Sequence, residues 1–129
     1  MAQAQKHADR DRTVDAFEEA VNMTAARLEK WLATEESKSV GQSDGGGESV
    51  GHASGRRIVG LLRTKRGDLS DGDLAHMRKV VGYVHRHVKQ RPGGDVTDTR
   101  WRYSLMNWGH DPLADRSAED GPPRPAGTG

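Results

Sequence analysis

The sequence predicts an all-α fold, a small single-domain bundle of four to five helices with a Gly/Ser-rich loop between the second and third. Three observations predict it. Apolar residues recur three and four positions apart in five separate stretches. Residues that cap or stop helices stand at the ends of those stretches. A chain of 129 residues, a third of them apolar, supplies one core and not two.

Residues 1–12 show no hydrophobic period and are expected to form a disordered N-terminal tail, leaving a helical domain over 13–113. From Thr13 the segment TVDAFEEAVN places Val14, Phe17 and Val21 at helical spacing, with acids early in the helix. Asn22 and Met23 form a break. Thr24 can cap a second helix, AARLEKWLATEE, whose Leu28, Trp31 and Leu32 make one apolar face, so the first two helices are expected to pair as a hairpin.

From residue 37 to 54 the chain holds five glycines and five serines. Two readings stay open: a flexible linker, or a compact loop whose limbs are pinned by Val40 and Val50 in the matched phrases KSVG and ESVG. Gly46 to Gly51 has the glycine spacing of a phosphate-binding Walker A loop. However, His52 stands where that loop needs lysine, which argues against nucleotide hydrolysis of that type.

The third helix is expected to start after Ser54 and to run GRRIVGLLRTKR, burying Ile58, Leu61 and Leu62. In this reading Ser54 caps it, Gly55 frees backbone amides, and Arg56 and Arg57 converge with the positive helix end on an anion. Arg63 continues their face about two turns on. Cations at a helix start oppose the dipole, so something negative should compensate: Glu35, Glu36 or Glu48 from within, or a phosphate from a partner.

Gly67 stops that helix, and Ser70 can cap a fourth, from 71 to about 90, whose Asp71 and Asp73 complement its dipole. Leu74, Met77, Val81, Val84 and Val88 form its apolar stripe, with Val80 at the edge. Arg78, Lys79, Gly82, Arg86 and Lys89 share a second face spanning about 100°. Arg91-Pro92-Gly93-Gly94 ends the helix. Trp101, Leu105 and Trp108 then mark a short fifth helix, its TRWRY phrase suited to the core or to stacking on bases. Residues 114–129, with three prolines among glycines and acids, are expected to form a disordered tail.

Net charge is +1 overall but unevenly spread: −4 over residues 1–51 (6 Lys+Arg against 10 Asp+Glu), +7 over 52–91 (10 against 3) and −2 over 92–129 (4 against 6). A basic centre with acidic flanks either meets a polyanion or is neutralised by those flanks. With no cysteine, disulfides, thiolate zinc sites and cysteine nucleophiles are excluded. No apolar run approaches membrane-spanning length, so a soluble, cytoplasmic protein is expected. The histidines lack metal-ligand spacing, and a Ser49 or Ser54 dyad with His52 is supported by sequence nearness alone. No cofactor, no metal and no enzymatic activity are therefore expected.

The phrases MTAARLEKWLATEESKSVGQ, GGGESVGHASGRRIVGLL, LAHMRKVVGYVHRHVKQRP and TRWRYSLMNWGHDP resemble the family called domain of unknown function 3140, over residues 14–113. The family consists of short stand-alone proteins, some labelled DNA-binding, so the resemblance implies a DNA-binding role without assigning one to single residues. Its loop after Gly41 is more basic than the Ser43-Asp44 found here.

Three functions follow as expectations. The first is sequence-tolerant binding of nucleic acid, in the first place DNA, through phosphate contacts by Ser54, Gly55, Arg56, Arg57, Arg63, Arg78, Lys79, Arg86 and Lys89. The second is a protein-interaction module. The third is an enzyme acting on a small anion held by the glycine loop, which requires His52 to face Ser49 or Ser54 across a pocket.

Overall fold

The computed structural model describes residues 2–40 and 48–114, with side chains from residue 8 onward. It is all-helical among these residues, with six helices: α1 (Ala2–Ala20), α2 (Ala25–Leu32), α3 (Glu35–Ser39), α4 (Val50–Leu62), α5 (Asp71–Val88) and α6 (Arg100–Asn107). The Gly/Ser-rich stretch 41–47 and residues 115–129 lie outside the described residues, so the expectations placed there are not addressed. No helix among the described residues is long and apolar enough to cross a membrane.

Two boundaries differ from the sequence reading for identifiable reasons. Helix α1 begins at Ala2, so the expected tail is helical, and Arg10 ties it down by donating to the Arg66 and Leu69 carbonyls at 2.9 and 2.8 Å. The expected second helix is two helices. Thr34 adopts extended backbone, and its hydroxyl accepts the Ser37 N–H, so α2 stops and α3 starts afresh.

Helix α1 packs along α5 and α2 along α4, while α6 touches α2, α3, α4 and α5. Phe17, Leu28, Ile58, Val80 and Leu105 are almost completely buried at these crossings. Val80, read as marginal, is in the core, whereas Val88 at the far end of the stripe is exposed. The close packing of α4 depends on its small residues. A Cβ on Gly55 would stand 2.5 Å from the Asn107 carbonyl oxygen, and one on Gly51 would stand 3.1 Å from Trp108 Nε1.

The end of α6 is stitched to the α1–α2 break. The Asn22 amide and the Asp111 backbone exchange two hydrogen bonds, at 2.9 and 2.8 Å, and Met23 N–H donates to Gly109 O. Gly109 adopts a φ of +82°, and a Cβ there would lie 2.8 Å from Val21, so glycine is needed on both counts. The Asn22–Met23 break is therefore a docking point for the far end of the chain.

Candidate nucleic-acid interface

Helix α4 begins five residues earlier than the sequence suggests. Ser49, not Ser54, is the N-cap: its hydroxyl accepts the His52 N–H at 3.1 Å. Ser54 and Gly55 thus sit inside the helix and are buried, so neither presents donors to an anion there. Ser54 instead meets His76 Nε2 of α5 at 2.9 Å. Gly55 packs against Leu32 and Asn107, with no room for a side chain. Their assignment to an anion site is corrected on this ground. Val50 also departs from its expected role, being exposed while Val40 is buried.

The arginines of α4 have partners within the chain. Arg56 grips Glu48 with two parallel bonds, Nε to Oε2 at 2.7 Å and Nη2 to Oε1 at 2.6 Å. Hydrogen bonds from Arg56, then from His52, hold the Glu48 carboxyl at about 2, below its ordinary 4.5. Arg63 pairs with Glu29 at 3.1 Å and Arg57 with Asp73 at 3.5 Å. Of the acids the sequence offered, Glu48 answers Arg56; Glu35 and Glu36 make none of these pairs.

His52 has both ring nitrogens engaged: Nδ1 with Glu48, and Nε2 with the Leu32 carbonyl oxygen at 2.7 Å. It latches the start of α4 to the end of α2. Its ring makes no bond to the Ser49 or Ser54 hydroxyl, so the dyad drawn from sequence is not formed.

Helix α5 differs in this respect. A capping box fixes its start, Ser70 and Asp73 each accepting the other's backbone N–H at 3.0 Å. Arg78, Lys79, Arg86 and Lys89 are exposed and make no ion pair among the described residues. At about 1.5 Å per residue they extend over roughly 16 Å of helix.

Behind this face runs a column of rings. Trp108 stacks on Tyr83 with centroids 4.2 Å apart, Tyr83 on His87 at 5.0 Å, and His87 on Trp101 at 6.4 Å. His76 closes the other end against Trp108 at 6.3 Å. Trp101 donates its indole N–H to His87 O at 2.7 Å and is buried, so TRWRY serves the core. Tyr83, which the apolar-stripe reading passes over, lies between Lys79 and Arg86 at i+4 and i+7, and that spacing is the signal that finds it.

Burial, then the nearby Arg57 and Lys79, hold the His76 imidazole below its ordinary 6.5, against a smaller pull from Asp73. Burial lowers His87 as well, and its Nε2 is buried without a partner among the described residues. Above pH 6.5 both rings are neutral in the native and unfolded chains. As pH falls below about 6.5 the unfolded chain takes up protons that the native one resists, so stability declines. The urea midpoint should therefore be lower at pH 5.5 than at 7.5, with the difference reduced in His76→Asn/His87→Phe. Equal midpoints in the unsubstituted protein would contradict the assignment.

A family model described as protein of unknown function (DUF3140) matches residues 16–106. The chain belongs to that family. The match runs from the last five residues of α1 to near the end of α6 and so takes in α4, α5 and the pairs of Arg56 with Glu48, Arg57 with Asp73 and Arg63 with Glu29. No curated protein and no solved structure matches the chain.

Proposed function

We propose that this DUF3140 protein is a cytoplasmic, non-enzymatic binder of nucleic acid, in the first place duplex DNA, which it holds by the phosphate backbone without reading sequence. The observation that carries this is the contrast between two adjacent helices. The arginines of α4 are taken up by Glu48, Asp73 and Glu29, whereas Arg78, Lys79, Arg86 and Lys89 on α5 form a basic patch with no acidic partner among the described residues. The patch length matches four to five phosphates of one strand at about 3.4 Å of axis each.

The acidic start of α5 supports backbone contact over base reading. A recognition helix offers its first residues to the groove, and here these are Asp71 and Asp73, which phosphates repel. Helix α5 would therefore lie along the backbone with its later turns in contact. Arg56, Arg57 and Arg63 leave the primary contact set, because recruiting them means breaking pairs already made.

Fluorescence anisotropy with a duplex tests this. Four phosphate contacts should weaken binding roughly a hundredfold between 50 and 200 mM salt. Absence of binding at 50 mM salt would remove the reading.

A further inference from the structure

A cavity of about 410 Å³ opens between the start of α4, the middle of α5 and α6, lined by Val50, Gly51, Lys79, Tyr83, Arg86 and Trp108, with Ser104 and Asn107 completing it. Its size falls within the range of small-molecule sites, roughly 300–1,000 Å³. Four kinds of hydrogen-bond donor or positive charge meet at it, contributed by three elements: the start of α4, the end of α6 and α5.

The first is the helix start. The Ser49 side chain and carbonyl take the N–H groups of His52 and Ala53, while those of Val50 and Gly51 have no acceptor among the described residues. The second is Trp108. It is only 5% exposed, yet its indole N–H has no acceptor among the described residues. The indoles of Trp31 and Trp101 donate instead to Asn107 Oδ1 at 2.8 Å and His87 O at 2.7 Å. Trp108 Nε1 lies 3.1 Å from where a Cβ on Gly51 would stand, so the missing side chain keeps the donor open to the cavity.

The third and fourth are the Lys79 ammonium and the Arg86 guanidinium, neither of them ion-paired among the described residues. Among the described residues the buried side-chain polar atom without a partner is His87 Nε2, so Trp108 Nε1 reaches the cavity as an accessible donor that an entering acceptor can take. Among the described residues no acid lines the cavity, so its lining suits an acceptor carrying negative charge.

We propose that this cavity binds a phosphomonoester group, its oxygens taken by Trp108 Nε1–H, the free amides at the start of α4, Lys79 and Arg86. Val50 and the edges of Tyr83 and Trp108 enclose the organic group that carries it. The ring faces of Trp108 are already covered by Tyr83 and His76, so the site selects the charged group and not a stacked base. The proposal is separate from duplex binding, although Lys79 and Arg86 border both.

Nitrogen-15 NMR of the indole N–H groups gives a direct readout, since the chain has three tryptophans and Trp108→Phe identifies its peak by loss. Inorganic phosphate and adenosine 5′-monophosphate should each move that peak saturably while leaving the Trp31 and Trp101 peaks in place. Lys79→Ala and Trp108→Phe should each weaken adenosine monophosphate binding about tenfold, followed for the latter by calorimetry. Arg78→Ala/Lys89→Ala should leave this titration unchanged while weakening duplex binding, which separates the two proposals.

A third arm, a short oligonucleotide with and without a 5′-phosphate, distinguishes a strand end from a free metabolite as the source of the group. Preference for the phosphorylated strand over the mononucleotide names the strand end, and the reverse order names the metabolite. No saturable movement of the Trp108 peak by any phosphate-bearing arm would overturn the proposal. So would unaltered affinity in Lys79→Ala/Arg86→Ala.

Discussion

Replacing Asp111 with alanine is expected to cost about 3–5 kcal/mol of folding stability, the range for removing one partner of a buried charge cluster. Its side chain is 1% exposed and receives Arg27 Nη2 at 2.9 Å and both Arg102 Nε and Nη2 at 3.1 Å. The Leu113 N–H adds a fourth bond at 3.0 Å. Burial pushes the carboxyl's pKa up. Arg102, the Leu113 N–H and Arg27 together outweigh that and leave it below its ordinary 3.8.

The stabilisation is accordingly present above pH 3.8 and is lost as pH falls through and below it. Urea unfolding of Asp111→Ala at pH 7 measures the loss. Asp111→Asn, which keeps the shape and accepts on one oxygen only, should fall between alanine and the native residue. A loss under about 1 kcal/mol for alanine would mean that the cluster is only a surface pair.

The second large effect lies in one helix and changes sign along it. Gly55→Ala places a methyl 2.5 Å from the Asn107 carbonyl oxygen and 2.7 Å from Leu32 Cδ2. Leu32 can turn, but the backbone of Asn107 is fixed by the end of α6, so the helices must separate. That overpacking should cost about 1–3 kcal/mol, outweighing the roughly 1 kcal/mol gained in helix propensity. Gly60→Ala in the same helix meets nothing within 4 Å, so there the propensity gain of about 1 kcal/mol should appear alone. Paired denaturation curves check both, and equal shifts for the two variants would contradict the crossing geometry.

Much of the fold was legible because apolar spacing is a local signal. The cores of α1, α2, α4 and α5 and the Ser70 cap follow from it directly. The break at Thr34 was missed because it depends on a threonine hydroxyl capturing one N–H, which competes with an unbroken helical composition. The true start of α4 was missed because Ser49 and Ser54 are both plausible caps. What decides between them is tertiary: Gly51, Ser54 and Gly55 fit only where the helix passes close to Trp108, His76 and Asn107.

The candidate site was less legible for the same reason. Arg56, Arg63 and Arg78 look alike in a charge profile. Only the fold sets Glu48 and Glu29 beside the first two and, among the described residues, no acid beside the third. The buried cluster at Asp111 has no local signature, because Arg102 is nine positions away and Arg27 and Asn22 are more than eighty. Trp108, assigned to the core from its spacing, is indeed buried, but its open N–H is a property of Gly51 and the start of α4.

The claim that α5 carries the free charge and α4 the committed charge is tested most directly by the salt dependence of duplex affinity in two double variants. The unsubstituted protein should show a slope of log K against log salt of about −3 to −4. Arg78→Ala/Lys89→Ala should reduce its magnitude by about two. Arg56→Ala/Arg63→Ala should leave it within about half a unit, since those arginines already answer Glu48 and Glu29. A larger loss in the α4 variant than in the α5 variant would contradict the account.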